Sequence, residues 1–382
     1  MRILIVSRGY PTEKYPLNGI FEFDQAKALA EAGHEVIFAA NDMRSIRRWR
    51  KWGIEEKIID GVEIYAFNIP CGRVPTKWLE WISIKALRYL YSYIERKCGR
   101  PDIIHSHFLN QGYSAVNALK EKGIPIIHTE HYSAMSQKEL DQHTQYLGEY
   151  TYNNVDQVIA VSRCLATSIK EKFGVEPIVI PNIVDTTVFD YFPVEGLNDE
   201  FCFISVGNLV EGKRMGLLIS AFHRAFEGNT KIFLCIYGQG PERKNLENLI
   251  RQYHLEEQIF LMGLASREVI AKKMQESDCF VLASERETFG VVYVEAMATG
   301  LPVIATKCGG PEDFVSQENG VLVEVDNVPQ LAQSLVYMRE NIGRYNRERI
   351  SLMVKERYRS RVISDRLVEI YAGLTNDKRD AI

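Results

Sequence analysis

Residues 279–314 contain two short apolar runs, and each run leads through a polar loop into a helical pattern. The first unit joins a predicted strand at 279–283 to a predicted helix at 291–299, and the second starts with a predicted strand at 303–306. Connections between parallel strands are almost always right-handed, so both loops should leave the same edge of one sheet. Open α/β sheets bind ligands at that edge. The segment therefore predicts a parallel α/β sheet with a ligand site at 284–290 and 307–310.

One carboxylate in this segment lies in an apolar helix. The predicted helix at 291–299 is apolar around nearly its whole circumference, and Glu295 is its only carboxylate. A lone buried carboxylate is costly unless a partner hydrogen-bonds it. Two interpretations are open: Glu295 bonds to nearby backbone, or it accepts hydrogen bonds from ligand hydroxyls. Glu287 lies in the loop before the helix, whose first amides favour an anion.

Glu287 and Glu295 form an E-x7-E motif within ETFGVVYVEAMATGLPVIAT, and GGPEDFV follows. In this setting the motif resembles the signature of the retaining, nucleotide-sugar-dependent glycosyltransferases of family 4, which have the GT-B fold. The resemblance covers nearly the whole chain. It implies an α/β protein with two Rossmann-like, doubly wound parallel-sheet domains facing a cleft. It also implies hexosyl transfer with retention of the anomeric configuration, without a required metal or other cofactor.

The resemblance further implies that the C-terminal domain binds the donor, a nucleoside-diphosphate sugar with UDP as the default. Glu295 would accept hydrogen bonds from the ribose, Glu287 would bind hydroxyls of the transferred sugar, and Lys213 would neutralise the diphosphate. Asn208 stands where family members have an arginine, and Arg214 is a candidate replacement. The other candidate donor-binding residues are Gly19, Gly263, Leu264, Thr288, Phe289, Gly290 and Val291.

Four histidines lie at the ends of two predicted strands, DIIHSHF and PIIHTEH. A zinc site is one interpretation, but no further ligand spacing follows, and polar groups at the sheet edge are the favoured interpretation. The resemblance singles out His131, in TEHYSA, as the histidine that hydrogen-bonds the transferred sugar near its anomeric centre. His131 and Glu287 are therefore the predicted catalytic residues. The first loop lacks G-x-G-x-x-G, so a nicotinamide or flavin site is not supported.

The length of the chain, 382 residues, predicts two domains. We predict an N-terminal acceptor-binding domain at 1–183, a nucleotide-sugar-binding domain at 184–360, and a helix at 361–382 that crosses back to the first domain. Seven cysteines without metal-binding spacing favour a reducing cytosol. No apolar run approaches the ~20 residues of a spanning helix. The apolar run at the start of the sequence is also too short for a signal peptide.

Residues 44–100 carry 13 basic and 6 acidic groups, although the whole chain has a net charge of −4. Tryptophans interleave with these cations, which suits an anionic membrane surface or a phosphate-rich acceptor; the alternative is a solvated basic face over core aromatics. No nucleic-acid-binding motif is present. We therefore predict a protein at the cytoplasmic face of a membrane, with a lipid-linked or glycan acceptor in surface polysaccharide or glycoconjugate synthesis. The candidate membrane or acceptor residues are Arg47, Arg48, Trp49, Arg50, Lys51, Trp52, Trp78 and Trp81.

Two other functions stay open at this point. One is a sugar-nucleotide epimerase on the same scaffold, and the GGPE loop and the E-x7-E context count against it. The other is a non-catalytic partner subunit that keeps the fold and binds a membrane. Asn208 favours this second alternative, whereas the intact Glu287, Glu295, Lys213 and His131 disfavour it.

Overall fold

The structure, a computed structural model, describes residues 1–45, 51–72, 74–137, 139–193 and 200–380. The chain separates into two compact units. The N-terminal unit combines Met1–Ile183 with Ser360–Ile382, and the C-terminal unit is Val184–Arg359.

The sheet of the N-terminal unit has the strand order β3-β4-β2-β1-β5-β6-β7-β8. Its strands pair in parallel, except that β3 is antiparallel to β4. The strands are β1 (Arg2–Ser7), β2 (Glu35–Ser45), β3 (Gly53–Ile59), β4 (Val62–Cys71), β5 (Ile103–His107), β6 (Ile126–Glu130), β7 (Gln157–Ala160) and β8 (Ile178–Val179). The helices in this part of the chain are α1 (Ile20–Glu31), α2 (Thr76–Cys98), α3 (Leu109–Leu119), α4 (Gln142–Tyr152) and α5 (Arg163–Phe173).

The hairpin of β3 and β4 was not predicted from the sequence. Its turn is Asp60-Gly61, and both residues have positive φ angles of 50° and 77°. Two-residue hairpin turns of type I′ need positive φ at both central residues, and Asp-Gly adopts this conformation readily. Asp-Gly between two strand-like runs is therefore a strong hairpin signal. The Asp60-Gly61 pair could therefore have predicted this hairpin.

The sheet of the C-terminal unit is entirely parallel, with the order β11-β10-β9-β12-β13-β14. Its strands are β9 (Phe201–Val206), β10 (Ile232–Tyr237), β11 (Ile259–Gly263), β12 (Cys279–Leu282), β13 (Val303–Thr306) and β14 (Gly320–Val323). Its helices are α6 (Met215–Phe226), α7 (Arg243–Gln252), α8 (Arg267–Gln275), α9 (Val291–Ala298), α10 (Val328–Asn341) and α11 (Arg347–Tyr358). The helical pattern predicted after the strand at 303–306 and its loop is only a short 3-10 helix, Gly310–Asp313.

The last helix, α12 (Ser360–Asp380), belongs to the N-terminal unit and packs against α1. Its side chains Ile363, Leu367 and Tyr371 are fully buried in the same apolar cluster as Ile3 and Ile5 of β1. Among the residues that the structure describes, no helix combines the length and apolar composition needed to cross a bilayer.

Each sheet reverses its strand order beside the first strand of its unit. In the N-terminal unit the reversal lies between β1 and β5, and in the C-terminal unit it lies between β9 and β12. Loops that follow two such strands diverge to opposite faces of the sheet, which opens a crevice at their carboxyl ends. A ligand-binding site is therefore expected at each of these two switch points.

Candidate functional site

The loops after β9 and β12 meet at the switch point of the C-terminal unit. Lys213 lies in the first loop, and its Nζ is 2.5 Å from Oε1 of Glu287 in the second. The Ser284 hydroxyl donates to the same carboxylate oxygen at 2.7 Å. The backbone also joins the loops, because the Glu285 amide donates to the Gly212 carbonyl at 2.8 Å. Two residues predicted from distant motifs are therefore in direct contact.

A third loop, which follows β13, fixes the backbone of Glu287. The Glu287 amide donates to the carbonyl of Cys308, and its carbonyl accepts from the amide of Gly310, both at 2.9 Å. A Cβ atom at Gly310 would lie 2.2 Å from the carbonyl oxygen of Phe289. Only glycine permits this approach, so the second glycine of the GGPE motif serves to hold the two loops together.

Glu295 on α9 has a partner that neither sequence interpretation included. Arg267, the first residue of α8, places Nη2 at 3.2 Å from Oε1 of Glu295. Both side chains are mostly buried. The expectation that nearby backbone or a ligand hydroxyl alone would compensate this carboxylate was therefore incomplete, because an arginine from another helix contacts it.

The start of α9 contains four further candidates. Gly290 precedes the helix with φ 84°, and the half-buried Thr288 and Val291 lie on either side of the Phe289-Gly290 pair. The Phe289 ring is buried against the rings of Phe314 and Tyr358. The Phe289 side chain therefore belongs to the core, and its main chain is the part available to a ligand.

Gly263 and Leu264 lie at the carboxyl end of β11. The Gly263 carbonyl accepts a 2.8 Å hydrogen bond from the Gly238 amide, and Leu264 is 63% exposed. This position is compatible with main-chain contact to a base at the same edge of the sheet as Glu287.

The Arg214 guanidinium forms ion pairs with two carboxylates in this structure. Its guanidinium lies 2.9 Å from Glu285 and 3.0 Å from Asp326. Asn208, which stands where the family has an arginine, is exposed. For Arg214 to bind a diphosphate as predicted, it would have to leave these carboxylates.

At the switch point of the N-terminal unit, aromatic and imidazole rings lie beside one ion pair, in which Nε of Arg8 is 3.7 Å from Oε1 of the buried Glu22. The Arg8 guanidinium carbon lies 3.9 Å from the ring centroid of Phe108, the residue after β5. Phe108 in turn stacks on His131 with 4.8 Å between ring centroids. Its backbone has φ 62° and ψ 140°. Strain of this kind costs about 1–3 kcal/mol and concentrates at functional sites.

Gly19 lies at the start of α1 with φ 71°. A Cβ atom there would lie 2.0 Å from the carbonyl oxygen of Gly9. The glycine therefore allows two backbone segments of the first loop to touch, and it also precedes the first amides of α1. This geometry fits a purely structural glycine at the start of a helix as well as the predicted contact with a diphosphate.

His131 is 8% exposed. Its Nε2 lies 3.0 Å from Nδ1 of His107, and its backbone amide donates to Oε1 of Glu130 at 2.9 Å. Burial lowers the pKa of His131 to about 3. The ring is therefore neutral at pH 7 and can act as a hydrogen-bond partner.

The other three histidines of this region, His105, His107 and His128, are buried and have hydrogen-bond partners. Across the described ranges, no group of three or more His, Cys, Asp or Glu side chains could hold a metal ion.

Family models match nearly the whole chain. The model described as "Glycosyltransferase Family 4" matches residues 23–188, and the model described as "Glycosyl transferases group 1" matches residues 189–350. The chain is a glycosyltransferase of the family 4 type.

Curated relatives agree with this assignment, and a solved structure shows the fold. The glycosyltransferase is 25% identical to N-acetyl-alpha-D-glucosaminyl L-malate synthase of Bacillus anthracis, over 95% of each chain. It is 26% identical to one subunit of human phosphatidylinositol N-acetylglucosaminyltransferase, over 96% of this chain and 76% of the human one. The structure of Anabaena HepE in complex with UDP and glucose matches with a TM-score of 0.74 and 19% identity, over 98% of this chain and 100% of that one. The two parallel-sheet units thus have the GT-B fold, which confirms the predicted fold class.

The predicted membrane residues of the glycosyltransferase fall into two groups. Arg47, Arg48, Trp49 and Arg50 lie outside the described residues. Of the others, Lys51 is exposed, and Trp52, Trp78 and Trp81 are 59%, 61% and 54% exposed.

An apolar groove of about 620 Å³ lies between the β3–β4 hairpin and α2 of the glycosyltransferase. Trp81 lines it together with Lys85, whose Nζ is 5.9 Å from the Trp81 ring. Its other lining residues are Gly53, Ile54, Phe67, Ile69, Ile82, Ala86, Tyr89 and Tyr93. The exposed tryptophan on α2 is therefore part of a larger apolar surface.

Sequence reasoning missed three residues at these sites. Arg8 and Phe108 directly follow β1 and β5, so the rule that ligands meet the carboxyl ends of switch-point strands could have selected them. Arg267 gave no such signal, because its contact with Glu295 spans 28 residues and two helices.

Proposed function

We propose that this glycosyltransferase moves a hexose from a nucleoside-diphosphate sugar, with UDP as the nucleotide, to a lipid-linked or glycan acceptor in glycoconjugate or surface polysaccharide synthesis. Transfer proceeds with retention of configuration and without a metal ion. The contact of Lys213 with Glu287 between the two loops of the switch point carries this proposal.

The C-terminal unit would bind the donor. A diphosphate attracts Lys213, and its arrival frees Glu287 to accept hydrogen bonds from hydroxyls of the sugar. Glu295 would accept hydrogen bonds from the ribose while Arg267 limits the cost of its burial. A lysine and the first amides of α9 stabilise negative charge on a leaving diphosphate, which is the task a metal performs in other transferases.

His131 of the N-terminal unit would hydrogen-bond a hydroxyl of the transferred sugar. Because the ring is neutral, it orients the sugar and does not protonate the leaving group. In a retaining transfer the acceptor attacks the face from which the diphosphate departs, and a phosphate oxygen takes the acceptor proton. Glu287 and Glu295 serve the donor in this scheme, whereas a hydrolase needs two carboxylates that flank the scissile bond.

The apolar groove and the exposed Trp78 and Trp81 favour a lipid-linked acceptor. Basic groups beside tryptophans suit a lipid chain attached to an anionic phosphate. The human relative is named for transfer to phosphatidylinositol. The relative from Bacillus anthracis is named for a malate product. Because the two names differ in the acceptor, the acceptor has to be tested separately from the donor.

The first test is a thermal-shift comparison of UDP, GDP, ADP and their glucose and N-acetylglucosamine conjugates, each with Mg²⁺ and with EDTA. A ligand at 100 times its Kd adds about 2.7 kcal/mol of stability. We expect UDP and a UDP-sugar to stabilise the protein equally well under both conditions. Absence of a shift with every nucleotide would favour the non-catalytic partner subunit.

The second test is transfer of radiolabelled sugar to vesicles that contain phosphatidylinositol or a polyprenyl phosphate. We expect a labelled lipid product whose anomeric proton coupling matches that of the donor. An inverted product would contradict the retaining mechanism, and label in water-soluble glycans alone would contradict the lipid acceptor.

A further inference from the structure

A continuous set of buried side chains connects α12 to His131. The Tyr371 hydroxyl lies 2.6 Å from Nδ1 of His105, and Nε2 of Gln25 lies 3.0 Å from the same nitrogen. Gln25 Nε2 is also 3.5 Å from Nε2 of His107. His107 Nδ1 completes the path at 3.0 Å from Nε2 of His131. We refer to Tyr371, His105, Gln25 and His107 as the histidine chain.

The amide of Gln25 gives the histidine chain a direction. An amide nitrogen carries two hydrogens and accepts none, so Nε2 of His107 must accept. A neutral His107 then carries its proton on Nδ1 and donates it to Nε2 of His131. His131 must in turn carry its own proton on Nδ1. Both rings are neutral at pH 7, because burial lowers the pKa of His107 well below its ordinary value and that of His131 to about 3.

The Nδ1 atom of His131 is buried and has no well-formed hydrogen bond in the described part of the chain; the side chain of Asn182 interacts with the ring and raises its pKa. A buried donor without a well-formed hydrogen bond costs about 1–3 kcal/mol. Such a group needs a reason, and a ligand that accepts its proton supplies one. The strained backbone of Phe108, whose ring stacks on His131, independently marks the same place as functional.

We propose that the histidine chain positions the His131 ring and holds its proton on Nδ1, where a sugar hydroxyl accepts it. The identity of that ligand rests on the proposed function, whereas the proton position does not. The four members are positioning residues, because they act on the substrate only through His131. His105 and His107 would then position His131, in addition to being polar groups at a sheet edge.

Nitrogen-15 NMR of the full-length, histidine-labelled protein tests the proton position directly. The His131 signals are assigned by their loss in His131→Asn. We expect the Nδ1–H tautomer in the wild type at pH 7. His107→Leu removes the donor and should give a mixture of tautomers, whereas His107→Asn keeps an amide donor at the place of Nδ1 and should preserve the wild-type tautomer.

Steady-state kinetics supply the second measurement. His107→Leu should lower kcat roughly tenfold to hundredfold, as when a ligating histidine loses its supporting partner. The KM for the donor should change less than about twofold, because ground-state binding is retained. His107→Asn should recover most of kcat. Tyr371→Phe should have a smaller effect, and Tyr91→Phe, which removes a buried hydroxyl bonded to Glu95, should have none.

Three results would overturn the proposal: a wild-type His131 with its proton on Nε2, a His107→Leu protein with an unchanged tautomer, or equal losses in His107→Leu and His107→Asn. The last result would indicate a purely structural role. If His107→Leu does not fold, Gln25→Leu provides the tautomer test instead, because it removes the amide that donates to His107. If the wild type uses no sugar donor, the proposed function fails, and the NMR result still decides the proton position.

Discussion

The switch points of the two units share one topology and differ in their chemistry. At the C-terminal one, charges meet in pairs: Lys213 with Glu287, and Arg267 with Glu295. At the N-terminal one, the neutral His131 stacks between His107 and Phe108, and Arg8, which is paired with the buried Glu22, covers the Phe108 ring. Paired charges can exchange partners when a charged ligand enters, whereas neutral rings suit uncharged hydroxyls. The strand order thus fixes where a site forms, and the residues after each strand decide what it binds.

The largest expected effect tests whether the charged switch point binds the diphosphate. Lys213→Ala should lower kcat/KM by about 10²–10³, the range seen when one group that stabilises a developing negative charge is removed. Binding of UDP, measured by calorimetry, should weaken as well. Lys273→Ala is the matched control, because it removes a lysine paired with Glu276 on the surface of the same unit. Equal losses in both variants would contradict a specific role for Lys213 at the charged switch point.

The next effect tests whether the N-terminal switch point depends on backbone shape. Gly19→Ala should lower the free energy of unfolding by roughly 2–4 kcal/mol, because a left-handed backbone and a clash with the Gly9 carbonyl both act against it. Gly33→Ala also has positive φ but open space around the new Cβ, so it should cost only about 1–2 kcal/mol. Urea unfolding measures both. A cost for Gly19→Ala no larger than that for Gly33→Ala would contradict the close packing of the first loop.

A smaller, pH-dependent effect concerns the buried carboxylate of Glu130, which contacts the His128 ring. Burial alone would raise the pKa of Glu130, but hydrogen bonds from His128, the Tyr132 amide and Tyr152 hold it below its ordinary value. A lowered pKa means that this contribution is present above the ordinary value of 4.5 and is lost as the pH falls below it.

Glu130→Gln should therefore cost about 1–3 kcal/mol of unfolding free energy at pH 7, with the difference from wild type shrinking between pH 5 and pH 3. Urea titrations across this range measure it. Glu171→Gln on the exposed part of α5 serves as the control. A difference that grows as the pH falls would show that Glu130 is protonated in the native protein.

The smallest expected effect tests whether membrane binding depends on exposed aromatic residues of the N-terminal unit and not on those of the C-terminal unit. Replacing Trp78 and Trp81 together by serine should weaken binding to anionic vesicles by about 1 kcal/mol, or fivefold, with unfolding unchanged. Flotation with and without anionic lipid measures this. Tyr337→Ser, which removes an exposed aromatic from α10, should leave flotation unchanged. No binding of the wild type to either lipid would end the membrane proposal.

The regular parts of the fold could be predicted from sequence, because buried parallel strands are continuous apolar runs and helices such as α1 and α9 begin after a glycine. The segment NGVLVEVDN could be interpreted from its sequence as a hairpin-like edge, but β14 pairs in parallel with β13. A single edge strand shows no local sign of its partner's direction. The apolar spacing of α2 also does not define its core face alone, since Leu87 and Tyr91 are buried and Leu79 is only half-buried.

The candidate site was accessible only through motifs and the family resemblance. Lys213 and Glu287 lie 74 residues apart and meet because β9 and β12 are neighbours. Local patterns contain no information on that pairing. The histidine chain was hidden for the same reason, since Tyr371 and His105 are separated by 266 residues.

The late position of α12 in the chain has a consequence for biosynthesis. Ile363, Leu367 and Tyr371 complete a core whose other members, such as Ile3, leave the ribosome first. During translation the nascent N-terminal unit must therefore wait, with part of its apolar surface uncovered, until all of Val184–Arg359 has been made. A chaperone that covers this surface would assist folding most during that interval, and a premature stop before Ser360 would leave it exposed permanently.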